Sequence, residues 1–434
     1  MYIENYEGYL KILYQELIPA LGCTEPIALA YASAYAKKIM GKNPDHIYIE
    51  LSGSIIKNVQ SVIVPNTGDM RGIDVAVLAG VIAGDPEKGL EVISGINETQ
   101  IEEIKDSIHK IPVEIVHVEH GHVFDILVVL YSGQEETKVR IVDSHTNIVL
   151  VEKNGKKFRT TEMKSEESME SRDFMTIKGI FDFANGVKLN DVDQLIEKQI
   201  RCNMAIAEKG LAEPYGANIG KTRLAVFGDS VENRAIAKAA AGSDARMNGC
   251  ELPVIINSGS GNQGITVSVP IIEYARELKC SKEKLYRALV LGNLVSIHEK
   301  TPIGVLSAFC GAVSAGAGAA AGIAYLYDLG LAGIEAAVSN ALAVVSGMIC
   351  DGAGSSCAGK IAFSVEAGIM GIKQFLTSNS YKGGDGILGY SIEETIENVG
   401  LLARVGMAET NNEILKIMLD TKANNQKIHK TKNY

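Results

Sequence analysis

Apolar positions Tyr6, Leu10, Leu13, Leu17 and Leu21 recur every three or four residues, the period of a helix with one buried face. The pattern predicts helix over residues 4–40, interrupted where Pro19 and Pro26 bracket Leu21-Gly-Cys-Thr-Glu-Pro26 and resuming from Ile27 to Met40. Near residue 44 the period shortens to two. His46-Ile-Tyr-Ile-Glu-Leu51 alternates as a half-buried strand does, and Gln60-Ser-Val-Ile-Val64 reads as a second β-rich run. A turn over 66–72 leads to helix over 73–82, and an amphipathic helix is expected over 87–108 with a break near Gly95. Strands follow at 113–118, 123–131, 138–143 and 148–153, the last closed by the turn Lys153-Asn-Gly-Lys156. Residues 161–173 are charged and polar, as a solvated linker is.

Beyond residue 174 almost every segment has helical period, with helices expected at 191–209, 231–247, 268–277, 281–297, 303–326, 332–349, 358–376 and 392–418. The fold class that follows is α+β: a large all-helical domain over 174–421 and a smaller α/β domain over 44–155. The N-terminal helices of 1–43 are expected to join the helical domain, and the polar tail 422–434 to fray. Residues 301–327 carry no charge and are long enough to cross a bilayer, yet Ala, Gly and Ser dominate them. A helix apolar all round is also what the centre of a helical domain needs, so no membrane span is expected here.

Composition narrows the function. A net charge of −10 and a pI near 5.4 exclude nucleic acid as the natural partner, which needs a basic face. Seven cysteines is an odd number, and Met1-Tyr-Ile-Glu-Asn-Tyr shows no basic region leading into an apolar one. A reducing cytoplasm is expected, where clustered thiols point to metal or catalysis rather than disulfides.

The candidate chemistry starts with Cys310, Cys350 and Cys357. All three lie among Gly and Ala, as Cys310-Gly-Ala-Val and Cys350-Asp-Gly-Ala-Gly-Ser-Ser-Cys357. Small neighbours admit a bulky inorganic group, and thiolates are the usual ligands of iron–sulfur clusters. Their spacing matches no stock metal pattern, so buried packing thiols stay an open reading. Cys202, Cys250 and Cys280 lack the glycine setting and read as packing. The loop Asn257-Ser-Gly-Ser-Gly-Asn-Gln-Gly264 offers freed amides, hydroxyls and side-chain amides from Ser258, Ser260, Asn262 and Gln263 to a carboxylate. The same loop could instead cup a phosphate of pyridoxal phosphate, with Lys300 or Lys360 as the Schiff-base lysine. His298-Glu-Lys300 supplies a candidate acid–base group and a carboxylate partner. Cys23, in a turn before a helix, is placed where a thiol pKa can be lowered. His117, His120 and His122 could bind zinc, although a solvated strand face explains them as well; Asp143-Ser-His145 has triad residue types without the separation a triad needs.

Four motifs in order, Gly22-Cys-Thr-Glu-Pro26, Ser258-Gly-Ser-Gly-Asn-Gln-Gly264, Cys310-Gly-Ala-Val and Cys350 to Cys357, resemble those of the L-cysteine desulfidase family, which is related to the iron–sulfur L-serine dehydratases. The stretch from Tyr48-Ile-Glu-Leu-Ser-Gly-Ser54 to Gly84 is similar to the β part of those dehydratases, and the later motifs to the α part. The resemblance implies a 4Fe-4S cluster on Cys310, Cys350 and Cys357 and β-elimination from an L-amino acid without pyridoxal phosphate. It implies L-cysteine as the small-molecule substrate, with pyruvate, ammonia and hydrogen sulfide as products, and a homodimer. Cys23 is the expected base and His298 its alternative, with Ser258, Ser260, Asn262, Gln263 and Lys300 holding the substrate. In serine dehydratases the last cysteine pair is more widely spaced, and some carry a later cysteine; this chain has none after Cys357. An L-serine dehydratase and a non-enzymatic cluster carrier are the other readings.

Overall fold

The computed structural model describes residues 4–118, 121–160, 172–304, 306–420 and 428–430. The N-terminal half contains α1 (Tyr6–Glu16), β1 (Pro19–Ala20), α2 (Thr24–Met40), β2 (His46–Ser52), α3 (Gly53–Val59), α4 (Ile73–Ala83), α5 (Glu98–Lys110), β3 (Val113–Val118), β4 (Asp125–Ser132), β5 (Glu135–Val142), β6 (Ile148–Lys153) and β7 (Lys156–Thr160). Helices then dominate: α6 (Ile177–Gly186), α7 (Asp193–Ala212), α8 (Ile219–Phe227), α9 (Val231–Met247), a short β8 (Val254–Ile255), α10 (Gly261–Glu277), α11 (Lys282–Lys300), α12 (Gly311–Leu326), α13 (Gly330–Val345), α14 (Ser356–Leu376), α15 (Ile392–Leu401) and α16 (Ala408–Asp420), before β9 (Ile428–Lys430).

Seven strands form one mixed sheet in the order β7-β6-β5-β4-β2-β3-β9. β2 and β3 are parallel, which requires a long crossover, and α3, α4 and α5 provide it. The period-two alternation sets the register. Ile49, Val128, Val139 and Val151 line up across four strands and are buried, while Tyr48, Glu50, Lys138 and Arg140 sit on the other, partly exposed face. Helix α2 lies against α4 and against β4 and β5, whereas α1 touches α6 and α11. Residues 1–43 are therefore divided between the sheet and the helices.

The uncharged run becomes α12, packed against α10, α11, α13 and α14. Its small residues allow neighbours to close in on every side, which explains why a segment without charge serves a protein interior. Among the described residues no helix is long and apolar enough to cross a membrane. Buried side chains of the sheet and the helices, from Ile49 to Val313, join in one apolar core.

The structure departs from the periodicity in places. The expected strand at 60–64 is a turn that follows α3, and it keeps only a lone bridge between Ile63 and Arg71. Val62, Ile63 and Val64 are buried there all the same, so β-branched composition marked burial rather than a strand. The helix expected over 87–108 is a 3-10 turn at Pro86–Glu91 followed by α5, which starts at the capping box of Asn97 and Gln100. The segment expected over 303–326 begins as helix only at Gly311, and that expected over 332–349 stops at Val345. The segment 392–418 is split by a π-turn at Leu402–Gly406. Residues 428–430, read as frayed tail, pair in parallel with β3.

Candidate active site

Two local pairings assemble the site. β1 and β8 pair antiparallel, Pro19 with Ile255 and Ala20 with Val254, and the Ile256 amide donates to the Ile18 carbonyl. This brings the turn bearing Cys23 beside the loop at 257–264, where the Thr24 hydroxyl donates to the Gly259 carbonyl at 3.0 Å. The second pairing joins Phe309 to Ile349. The Cys310 amide donates to the Met348 carbonyl at 3.0 Å and the Cys350 amide to the Ala308 carbonyl at 2.6 Å, so these two cysteines lie on adjoining strands of chain. Cys310 caps the start of α12, and Cys357 lies in the first turn of α14.

Cys310, Cys350 and Cys357 line one cavity of about 120 Å³. Cys23, Ser258, Ser260, Asn262, Gln263 and Lys300 share its wall. Each predicted site residue but one is therefore gathered in a single place. The exception is His298, which is not on that wall; its Nε2 lies 2.6 Å from Glu393 Oε2. Its partner there is a carboxylate of α15, so His298 stands apart from the other expected site residues.

Cys23 departs from expectation in its charge. It caps the N-terminus of α2, where the helix favours a thiolate, but burial and then the carboxylate of Glu25 push its pKa well above the ordinary thiol value. Its thiol donates to Glu25 Oε2 at 3.1 Å. The resting group is a neutral thiol on a carboxylate. Gly22 precedes it with φ 51°, and a Cβ there would stand 2.1 Å from Pro65 Cγ, so only glycine lets the turn seat Cys23 against its neighbours. Cys23, Val62 and Met247 form a small apolar cluster on which Ala353 and Cys357 pack.

The polar loop is held from behind. Asn257 donates to the Asn293 carbonyl and its Oδ1, and accepts from Ser258 and Ser296. Ser258 and Gly259 take successive left-handed conformations, φ 48° and 76°, and Ser260 then caps α10. Such a pair makes a type I′ turn, closed by mutual amide–carbonyl hydrogen bonds between Asn257 and Ser260.

The thiols lie among cations. Burial and then Cys350 push the Cys310 thiol up to about 12, and burial raises Cys357. Burial pushes Lys300 down to about 8, opposed by Cys350 and Cys310. The Lys57 ammonium, also lowered by burial, donates to the Cys350 carbonyl at 3.0 Å and to Asn411 Oδ1 at 2.8 Å. Lys360 is paired with Asp351.

Sequence reasoning missed five residues of this wall or its rim: Lys57, Glu25, Asn58, His145 and Arg246. His145 lies in the β5–β6 turn, edge-on to Phe124 at 4.8 Å, and burial lowers its pKa. Arg246 ends α9, where an arginine is ordinarily read as a dipole partner in water; here it is 4% exposed. The run of small residues before it, Ala239-Ala-Ala-Gly-Ser-Asp-Ala-Arg246, was the available signal of burial. A second cavity of about 570 Å³, lined by Ile12, Glu16, Arg172 and Phe174 among others, shares His145 and Gly259 with the first.

The histidine cluster does not become a metal centre among the described residues. His122 pairs with Asp143 at 2.7 Å, His117 is buried on β3, and His120 lies outside the described residues. No set of three His, Cys, Asp or Glu side chains among the described residues forms a single-ion metal site.

Comparison with known proteins identifies the family. The family model described as serine dehydratase alpha chain matches residues 87–416. A UPF0597 protein of Desulfitobacterium hafniense (strain Y51) is 49% identical over 96% of this chain and 97% of its own length. UPF0597 proteins of Lachnoclostridium phytofermentans and Treponema denticola are 46% and 43% identical, each over 96% of this chain and covering 100% and 98% of their own. On the family match and the full-length relatives together, this chain belongs to the serine dehydratase-like family that includes the UPF0597 proteins.

Proposed function

We propose that the protein is a cytoplasmic iron–sulfur lyase that removes sulfide from L-cysteine, leaving pyruvate and ammonia, and that it works as a homodimer. In this reading residues 174–421 are the catalytic domain and 44–155 the smaller one. The observation that carries the proposal is the meeting of three thiols, a polar amide-rich loop and a thiol–carboxylate pair in one cavity.

The donor set suits a 4Fe-4S cluster. Cys310, Cys350 and Cys357 are soft ligands with Gly311, Ala312, Gly352 and Ala353 beside them, and Lys57, Lys300 and Lys360 balance the charge of deprotonated thiols. When bound there, a cluster with three protein ligands supplies a Lewis-acidic iron that favours departure of a soft sulfur group. The chain supplies the rest. The Ser258–Gln263 side of the cavity orients the amino acid. Cys23 Sγ takes the α-proton as its own proton passes to Glu25 Oε2, so a buried neutral thiol acts as a base without resting as a thiolate. The Cα–H electrons form the Cα=Cβ bond and the Cβ–S electrons leave with sulfur as hydrosulfide. The resulting 2-aminoacrylate takes up water and releases ammonia and pyruvate.

A second reading, L-serine dehydratase, is favoured by the description of the matching family model. It uses the same head-group site and differs in the leaving atom. Anaerobic protein assayed for pyruvate with L-cysteine and with L-serine separates the two. The proposal expects kcat/KM for L-cysteine to exceed that for L-serine by at least about tenfold, a 1.4 kcal/mol preference. A preference for L-serine of that size assigns the dehydratase activity instead.

A further inference from the structure

Several polar atoms on the cavity wall are buried without a hydrogen-bond partner among the described residues: Arg246 Nε and Nη2, Gln263 Oε1, Asn262 Oδ1 and His145 Nε2. Arg246, Gln263 and His145 are each more than nine-tenths buried. Such groups are costly to bury unmet, and an unpaired guanidinium most of all. Glu25, the acid that acts on Arg246, makes no ion pair with it; its oxygens already accept from Cys23, Thr24 and Asn58. The guanidinium is pressed against the start of α10: a Cβ on Gly261 would stand 2.3 Å from Arg246 Nε. Two sources of positive potential, a helix N-terminus and a free guanidinium, thus coincide at one side of the cavity. The remaining orphans are acceptors or, for His145, a ring nitrogen that can accept. Donors for an anion beside acceptors for a cation are the complement of a zwitterion.

We propose that Arg246 anchors the α-carboxylate of the substrate and that Asn262, Gln263 and His145 take its α-ammonium, so the cavity selects α-amino acids by their head group. This rests on the lyase reading for the identity of the reaction and on the orphaned atoms for the head-group site. Arg246 is a substrate-positioning residue, remote in sequence from every motif that marks the chemistry.

The test is binding, measured without turnover. L-Alanine carries the head group and has no β leaving group; L-alaninamide replaces the carboxylate by a neutral amide. Calorimetric titration of the full chain is expected to show L-alanine bound at least about tenfold more tightly than L-alaninamide, with that preference collapsing in Arg246→Gln. A second variant, Arg246→Met, replaces a buried unpaired charge by an apolar side chain of similar length. It is expected to melt no lower than the ligand-free parent while losing L-alanine binding; a purely structural arginine would lower the melting temperature. The inference is overturned if Arg246→Gln keeps the preference for L-alanine, or if the parent does not bind L-alanine at millimolar concentration. If the Arg246-dependent preference is present but neither L-cysteine nor L-serine yields pyruvate, the lyase reading fails while the head-group site stands.

Discussion

Cys23 is where two electrostatic effects compete, and burial beside Glu25 prevails over the helix N-terminus. A thiol that must pass its proton to a neighbouring carboxylate makes a simple demand on mutants. Cys23→Ala is expected to keep the parent's iron content and lose at least about a hundredfold in kcat, and Glu25→Gln to lose a comparable factor. Activity near that of the parent in Cys23→Ala removes it as the base. Glu299 raises a different question, since it is 2% exposed and neither of its carboxyl oxygens has a hydrogen-bond partner among the described residues. Burial pushes its carboxyl well above the usual carboxylate range. The folded chain therefore keeps a proton that the unfolded chain releases near pH 4.3, about the ordinary glutamate value. Stability from this group is full below that pH and is lost as pH rises toward the folded-state pKa. Denaturant midpoints between about pH 5 and pH 8 should fall less steeply for Glu299→Gln than for the parent. Parallel curves would show that Glu299 does not hold its proton.

Turns and short pairings do at the element scale what the long helices do not: they bring distant motifs together. The Gly22 turn is the tightest of these, with a positive φ and Pro65 where a side chain would go. Gly22→Ala is expected to destabilise by on the order of 2 kcal/mol and to reduce activity by displacing Cys23, checked by chemical unfolding alongside kcat. Unchanged unfolding would show that the turn is less constrained than its geometry implies. Long periodic elements were legible in the sequence: α9 begins and ends where the apolar spacing placed it, and β2 follows its alternation. The failures have physical causes. Val62-Ile-Val64 is β-branched, so propensity pointed to a strand, yet the chain there is a buried turn after α3. β9 is short and polar, and only the edge of β3 makes it a strand.

At the scale of the whole molecule, the site is built from chain segments near residues 23, 57, 145, 246, 260, 310 and 350. The cysteines and the glycine loop were legible because their composition is unusual. Arg246, His145, Glu25 and Lys57 were not, because nothing in their local spacing tells that the β1–β8 pairing and the Phe309–Ile349 bridge will carry them to one cavity. His298 shows the reverse case, a residue well placed in sequence whose side chain turns to Glu393. Burial and the neighbouring Cys350 raise the Cys310 thiol and burial raises Cys357, while lysines lie close by; on the proposed reading a group that takes thiolates would complete the balance of charge.

That completion is what to measure first, as iron and acid-labile sulfide in protein purified without oxygen, for the parent and for Cys310→Ala, Cys350→Ala and Cys357→Ala. About four of each per chain in the parent, with loss in all three variants, is the result expected of a 4Fe-4S site on these thiols. Iron and sulfide near zero in the parent, even after anaerobic reconstitution, would contradict it and return the three cysteines to packing, with a pyridoxal phosphate lyase as the leading alternative.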